Sequence, residues 1–199
     1  MRRWNVFLIT VGALSTGTAN AGQQYTVFAS DYSHIEASTV EKAAALAEEI
    51  LGKAGVSVRM VVCPVSKFQG ALVANCPEPG RLPDAFLKVV PQNAGQVKGR
   101  EAMGVAMPDL NSDQPNTAFV FYDRVSQTAA SGNCSPYRIL GHAMAHEIGH
   151  LLGSEHSKGG IMRPDWKRPI VAEMSRGLLA FSPEQGEFMR SNVAKRGAK

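Results

Sequence analysis

An α+β fold is expected from three features of the chain. Five short runs rich in β-branched or alternating apolar residues stop at proline or a turn, one helix-periodic run lies between the first two, and two helix-start signatures occupy the last third. Gln24 to Ala29 reads as the first strand, with Tyr25, Val27 and Ala29 alternating. Ser38 and Thr39 then offer N-caps, and Glu41, three residues after Ser38, completes a capping box. Val40, Ala43, Ala44, Ala47, Ile50 and Leu51 recur at helical spacing before Gly52 and Gly55 close the helix. Val56 to Cys63 is a second strand stopped by Pro64, and Ala85 to Val90 a third stopped by Pro91. Met103 to Met107 is a short fourth, closed by Pro108, and Thr117 to Tyr122 a fifth. Ser135 is an N-cap with Pro136 in the first helical position, which opens a long helix. Ser182-Pro183-Glu184-Gln185 repeats that signature ahead of a final helix reaching about Ala194. Residues 64–84 and 91–102 read as loops, either ordinary connections or the rim of a cleft.

Residues 1–21 read as a signal peptide rather than as fold. Arg2 and Arg3 give the basic start, Trp4 to Leu14 the apolar stretch and Ala19-Asn20-Ala21 the cleavage site. The apolar stretch is short for a bilayer span, and no later segment reads as transmembrane. A secreted or periplasmic single domain, residues 22–199, is therefore expected, without membrane association once the signal is removed. The formal charge of the whole chain is +4, from 21 Lys and Arg against 17 Asp and Glu; loss of Arg2 and Arg3 makes it +2. Much of this excess sits in Lys195, Arg196 and Lys199, and no aromatic-basic interleaving points to nucleic acid. Three cysteines in an exported chain allow one disulfide. Cys63 and Cys76 flank a short Pro- and Gly-containing excursion and are the expected pair, leaving Cys134 free, buried or intermolecular.

The chemistry is concentrated in His146-Glu147-Ile148-Gly149-His150-Leu151-Leu152-Gly153-Ser154-Glu155-His156. On a helix, His146 and His150 project from one face about 6 Å apart, close enough for two imidazoles to share a tetrahedral metal. Glu147, beside the first of them, can reach a water at that metal without occupying it. Gly153 can take the left-handed conformation that ends a helix, and the turn brings up His156 as a third ligand. Three ligands with an open fourth position are the pattern of a catalytic zinc rather than a structural one.

With Gly160-Ile161-Met162-Arg163-Pro164 following as a Met-turn, these residues resemble the metzincin zinc endopeptidases. His156-Ser157 and Ile161-Met162-x-Pro164 look most like the matrixin branch. The resemblance implies a five-stranded twisted mixed sheet with two backing helices, an active-site helix, the Met-turn and a C-terminal helix. It also implies that Met162 floors the zinc, that the residues after it wall a specificity pocket, and that the substrate is a peptide or protein.

The expected reaction is hydrolysis of a peptide bond, with zinc as cofactor and Glu147 as the general base that later serves the leaving amine. Two alternatives stay open: a zinc hydrolase acting on a non-peptide amide or ester such as a cell-wall component, and a catalytically silent zinc-bound binding module. Glu147 argues against the second, since a structural site has no use for a carboxylate beside the water. His142, one turn before His146, reads as a packing histidine or one behind the ligands, with a substrate or oxyanion contact as the alternative. His34 reads as a surface residue, and Glu155 and Ser157 as locally bonded loop residues. Trp166 either seals the lower part of the fold or stacks on substrate, and burial favours sealing. Tyr122 and Tyr137 are oxyanion donors by residue type alone. Cys134, about 18 Å along the helix direction from His146 at 1.5 Å per residue, is too far to cap the metal as a latency switch. No paired-acid loop suggests calcium, and no pro-segment is evident, so either the enzyme is exported active or its control comes from an unidentified inhibitor, activator or metal supply.

Overall fold

The computed structural model describes residues 23–76, 84–92, 102–108 and 115–196; the expected signal peptide lies outside them. The chain runs β1 (Tyr25–Asp31), α1 (Ala37–Lys53), β2 (Val58–Cys63), β3 (Val65–Phe68), β4 (Ala71–Ala74), β5 (Ala85–Val90), β6 (Gly104–Pro108), β7 (Pro115–Phe121), α2 (Tyr122–Gly132), α3 (Pro136–Leu151), α4 (Arg168–Ser175) and α5 (Pro183–Arg196). This is an α+β fold, and the five expected strands form one mixed sheet in the order β2-β1-β5-β7-β6. Four strands are parallel, and β6 runs antiparallel to β7 at one edge.

Register explains the core. Val27 lies beside Ala85, Ala29 beside Leu87, Leu87 beside Ala118 and Val89 beside Val120, so one sheet face presents a continuous apolar row. That row packs with α1 residues Val40, Ala43, Ala47, Ile50 and Leu51 and with α3 residues Ile139, Leu140, Ala143 and Met144. Strand β1, between β2 and β5, is covered on both faces and is buried from Tyr25 through Ser30, whereas β5 alternates and leaves Phe86 exposed. On the other face Phe28, Val61 and Cys63 form a second cluster, against which Ala74 and Cys76 pack. Helix α3 is buried on nearly every side, from Ile139 to Gly149, and so runs through the centre of the fold with His142, His146 and Glu147 among its buried residues. No helix among the described residues is long and apolar enough to cross a membrane.

Several sequence expectations are corrected. Part of the expected loop 64–84 is a hairpin, β3 paired antiparallel with β4, whose turn places Gln69 at φ 48° and Gly70 at φ 85°. Two successive positive φ values are what a tight hairpin turn needs. The Cys63–Cys76 disulfide closes its base, as expected, and Cys134 is free and partly buried. Helices α2 and α4 were not anticipated. Each is short, and each buries only two or three apolar side chains, Val125 and Ala129 in one and Ile170, Val171 and Met174 in the other. Tyr122 opens α2 instead of ending the fifth strand. Helix α1 starts earlier than expected, capped at Glu36 without a side-chain bond, so Ser38 and Thr39 lie inside it and the capping box is absent. Ser135 holds the N-cap position of α3 but also makes no side-chain cap bond there. At α5 the expected box forms: the Ser182 N–H donates to Gln185 Oε1 at 2.9 Å, and the Gln185 N–H donates to Ser182 Oγ at 3.2 Å.

Candidate metal centre

The end of α3 builds the site. Gly153 adopts φ 85°, its N–H donates to the His150 carbonyl at 2.9 Å, and the Ser154 N–H donates to the Gly149 carbonyl at 2.8 Å. This paired closure is a Schellman turn, and it requires the left-handed residue that glycine supplies. The chain reverses, and one nitrogen from each of His146, His150 and His156 comes within 4.8 Å of the others, a group able to hold a metal ion. His146 and His150 have ring centroids 4.8 Å apart, against the roughly 6 Å expected from helical spacing.

Hydrogen bonds on the far side of two rings set their tautomers. His146 Nδ1 is 2.7 Å from the Ile161 carbonyl oxygen, and His150 Nδ1 is 2.7 Å from that of Ser154. A carbonyl only accepts, so each Nδ1 carries the proton and donates, leaving Nε2 with its lone pair. The lone-pair atoms of these two rings face one another at 3.1 Å, and His156 Nε2 lies 3.2 Å from His150 Nε2. The facing acceptors of His146 and His150 repel unless a cation or a donor hydrogen lies between them, so the three-histidine group fits a metal ion. Carbonyl partners behind metal-binding imidazoles are the usual means of orienting such ligands. Burial drives His146 down to a pKa of about 3, the bond to Ile161 opposing it and the neighbouring His150 and His156 adding to it. Burial lowers His150 as well. Both rings are therefore neutral, the form that binds metal.

Glu147 is buried, and burial alone raises its carboxyl to about 8. Its Oε2 has no hydrogen-bond partner among the described residues. Its Oε1 lies under the backbone of β6, where a Cβ on Gly104 would sit 2.6 Å from it and 2.6 Å from the Phe119 carbonyl oxygen. Gly104 thus lets the edge strand close over the carboxylate, a role the sequence reading missed. A glycine inside a short strand was the available signal, because it marks close approach. Met162 is fully buried and packs under α3: a Cβ at Gly149 would meet its Sδ at 2.8 Å. The Met162 carbonyl accepts the Ser157 N–H at 2.9 Å, which closes the loop from His156.

These groups open into a cleft of about 430 Å³, walled on one side by Met103 to Ala106 and on the other by Arg163, Pro164 and Trp166. Trp166 meets His146 edge-on at 5.6 Å and packs against the core, so it seals the site while also lining the cleft. Ser157 bonds locally, donating Oγ to the Gly159 carbonyl at 2.7 Å; Glu155 and His34 are exposed. His142 is buried, with Nδ1 2.7 Å from the Arg138 carbonyl oxygen. It belongs neither to the metal group nor to the cleft wall. Tyr122 and Tyr137 pack against the core and do not line the cleft, so neither serves as an oxyanion donor from its present position.

No protein-family model matches the chain, and no curated protein matches it in sequence. Solved structures resemble it in fold. The archaemetzincin of Methanopyrus kandleri superposes with a TM-score of 0.53 at 18% identity, covering 88% of this chain and 98% of its own. A zinc-dependent peptidase from Methanocorpusculum labreanum gives 0.55 at 14%, covering 82% and 99%. Metalloproteinase-II of Bacteroides fragilis gives 0.52 at 13%, with 86% of this chain matched to 54% of that longer protein. At such identities the likeness is one of architecture: the chain has an α+β fold similar to those of solved zinc-dependent peptidases and a three-histidine group able to bind a metal.

Proposed function

We propose that this protein is a zinc-dependent endopeptidase of the metzincin type, with His146, His150 and His156 as metal ligands and Glu147 as the general base. The observation that carries the reading is the convergence of three Nε2 atoms, two of them with Nδ1 committed to carbonyls, beside a buried carboxylate in an open cleft. Zinc bound there would supply a Lewis acid that polarises the scissile carbonyl and lowers the pKa of a water to about 7. The residues of the chain do the rest. Glu147 takes the proton of the attacking water and returns it to the leaving amine. Burial alone would keep this carboxyl protonated at neutral pH, and a cation beside it restores the charged form that a base needs. Met162 and Trp166 exclude water from the inner side of the ligands.

A peptide substrate suits the cleft because β6, one of its walls, is an edge strand that pairs only with β7 among the described residues. An extended backbone can add to such an edge through main-chain hydrogen bonds. Within the clan, His156-Ser157 and Ile161-Met162-Arg163-Pro164 support a matrixin-like branch. The basic and apolar start of the chain and the Cys63–Cys76 disulfide support export of residues 22–199 as one catalytic domain.

Zinc content and peptide cleavage of the purified protein test the reading, with Glu147→Ala alongside. One zinc per chain and cleavage that a chelator abolishes and the variant lacks are expected. Zinc without cleavage of a broad peptide library, but with turnover of muropeptides, would move the substrate to a cell-wall amide. A protein that binds no metal would end the proposal.

A further inference from the structure

A helix leaves its last four carbonyls without partners inside the helix, and at the end of α3 all four are bonded. The Gly149 and His150 carbonyls accept from the turn itself, the Ser154 and Gly153 N–H groups. The next two accept from side chains of α5: Arg196 Nη2 donates to the Leu151 carbonyl at 2.6 Å, and Asn192 Nδ2 donates to the Leu152 carbonyl at 2.9 Å. The same Asn192 nitrogen lies over Gly153, 2.9 Å from where a Cβ would stand. A third α5 side chain, Gln185, donates Nε2 to Ser157 Oγ at 3.2 Å, directly after His156. Helix α5 therefore grips the chain on both sides of the segment that carries the third histidine.

The three histidines do not depend equally on that grip. His146 is buried and His150 half-buried, and each sits on α3 with its ring tied through Nδ1. His156 is the exposed one and rides on the turn. We propose that Asn192 and Arg196 are positioning residues for the metal site: by completing the end of α3 they fix the turn that aims His156, and so set how long the metal is held. This rests on reading the three histidines as a metal site. Packing alone would predict no such link, and α5 contains a control, though Arg196 also donates to the Tyr25 hydroxyl at 3.4 Å. Arg190 Nη1 donates to the Ala54 carbonyl at 2.6 Å, the same kind of bond to the end of a different helix, α1, with no histidine of the site beyond it.

Zinc release from the purified holoprotein into excess chromogenic chelator tests the proposal, measured for the parent, Asn192→Ala, Arg196→Met, Arg196→Lys and Arg190→Met. The denaturation midpoint of each metal-free form is recorded in parallel. Asn192→Ala and Arg196→Met should release zinc about 10- to 100-fold faster, the usual cost of removing support behind a metal ligand. Arg196→Lys, which keeps a donor, should recover part of that loss, and Arg190→Met should release zinc at the parental rate even where its metal-free form is equally destabilised. If Asn192→Ala does not fold, Asn192→Asp, of the same size but without the donor, carries the same expectation. Parental release from the Asn192 variant, or equal acceleration in Arg190→Met, would overturn the positioning role while leaving the metal site standing. A parent protein that binds no zinc would remove the site itself, and the proposal with it, before any variant is compared.

Discussion

Helix α3 carries histidines on three successive turns, and its two halves use them differently. His142 and His146 are four residues apart, as are His146 and His150. His142 turns its Nδ1 to the Arg138 carbonyl, one turn back along its own helix. His146 and His150 turn theirs to carbonyls beyond the helix, at Ile161 and Ser154. Four-residue spacing puts rings on one face, but the direction of the Nδ1 bond decides where the opposite nitrogen points. In the C-terminal half both bonds go to the reversing chain, so the free nitrogens meet His156. In the N-terminal half the bond is internal, and the ring packs within the fold.

The largest effect should come from breaking the C-terminal half. His146→Ala removes one of the three proposed ligands, and metal content measured by atomic absorption should fall to background together with all turnover. Glu147→Gln should keep zinc and lose about 10²- to 10⁴-fold in kcat, the usual contribution of a positioned general base. If that variant cleaved a peptide as fast as the parent, Glu147 would not be the base. Gly104→Ala comes next. Its methyl group must displace the Glu147 carboxylate or the Phe119 backbone, and a misplacement near 1 Å costs about 10²-fold. Zinc content should stay at the parental level, and loss of metal would mean that β6 supports the ligands rather than the base.

Titration sharpens the contrast without any substrate. In the metal-free protein His146 refuses a proton down to about pH 3, whereas the unfolded chain accepts one near 6.5, so stability falls as pH drops through that interval. The burial-lowered His142 and His150 act in the same direction. Glu147 has the opposite sign. Folded, it keeps its proton up to about 8, whereas the unfolded chain has lost it above about 4.5, so stability falls as pH rises through that interval. Of these groups Glu147 alone acts between about 6.5 and 8. Urea midpoints of the chelator-treated protein should therefore decline over that span, and Glu147→Gln should flatten the decline. A parental decline left intact in the variant would assign it to another group.

What could be read in advance follows the range of the interactions. The five sheet strands, α1, α3 and α5 were visible because each has a local signal: β-branched runs ended by proline, helical spacing, or a Ser-Pro start. The residues of the proposed site were visible because eleven consecutive residues, His146 to His156, and one turn hold nearly all of them. The hairpin β3–β4 escaped because its strands have four residues each, and its Gln69-Gly70 turn is a weak signal beside Pro64. Helices α2 and α4 escaped because tertiary packing of two or three side chains, not periodicity, holds them. The supports of the site were the least legible. Ile161, Asn192 and Arg196 act through atoms 15 to 45 residues away from their partners, and Gly104 acts by having no side chain. No local pattern encodes such pairings.

The smallest effect is expected at His142, and it is the one that isolates the comparison. Its ring shares the four-residue spacing of His146 and His150, the burial of His146 and a Nδ1 bond of the same 2.7 Å length. Only the partner differs. His142→Gln keeps a polar group of similar reach, and His142→Ala removes the ring from a buried position at a cost of about 1–3 kcal/mol in stability. Both should bind one zinc per chain and cleave peptide within a few-fold of the parent at temperatures where they remain folded. If His142→Gln instead lost zinc or raised its rate of release, His142 would be acting behind His146 as a support. Spacing along α3 would then matter more than the direction of the Nδ1 bond. If both variants keep zinc and activity, the helix is divided where the hydrogen bonds divide it, between the buried turn bonded within its own helix and the turns that face the cleft.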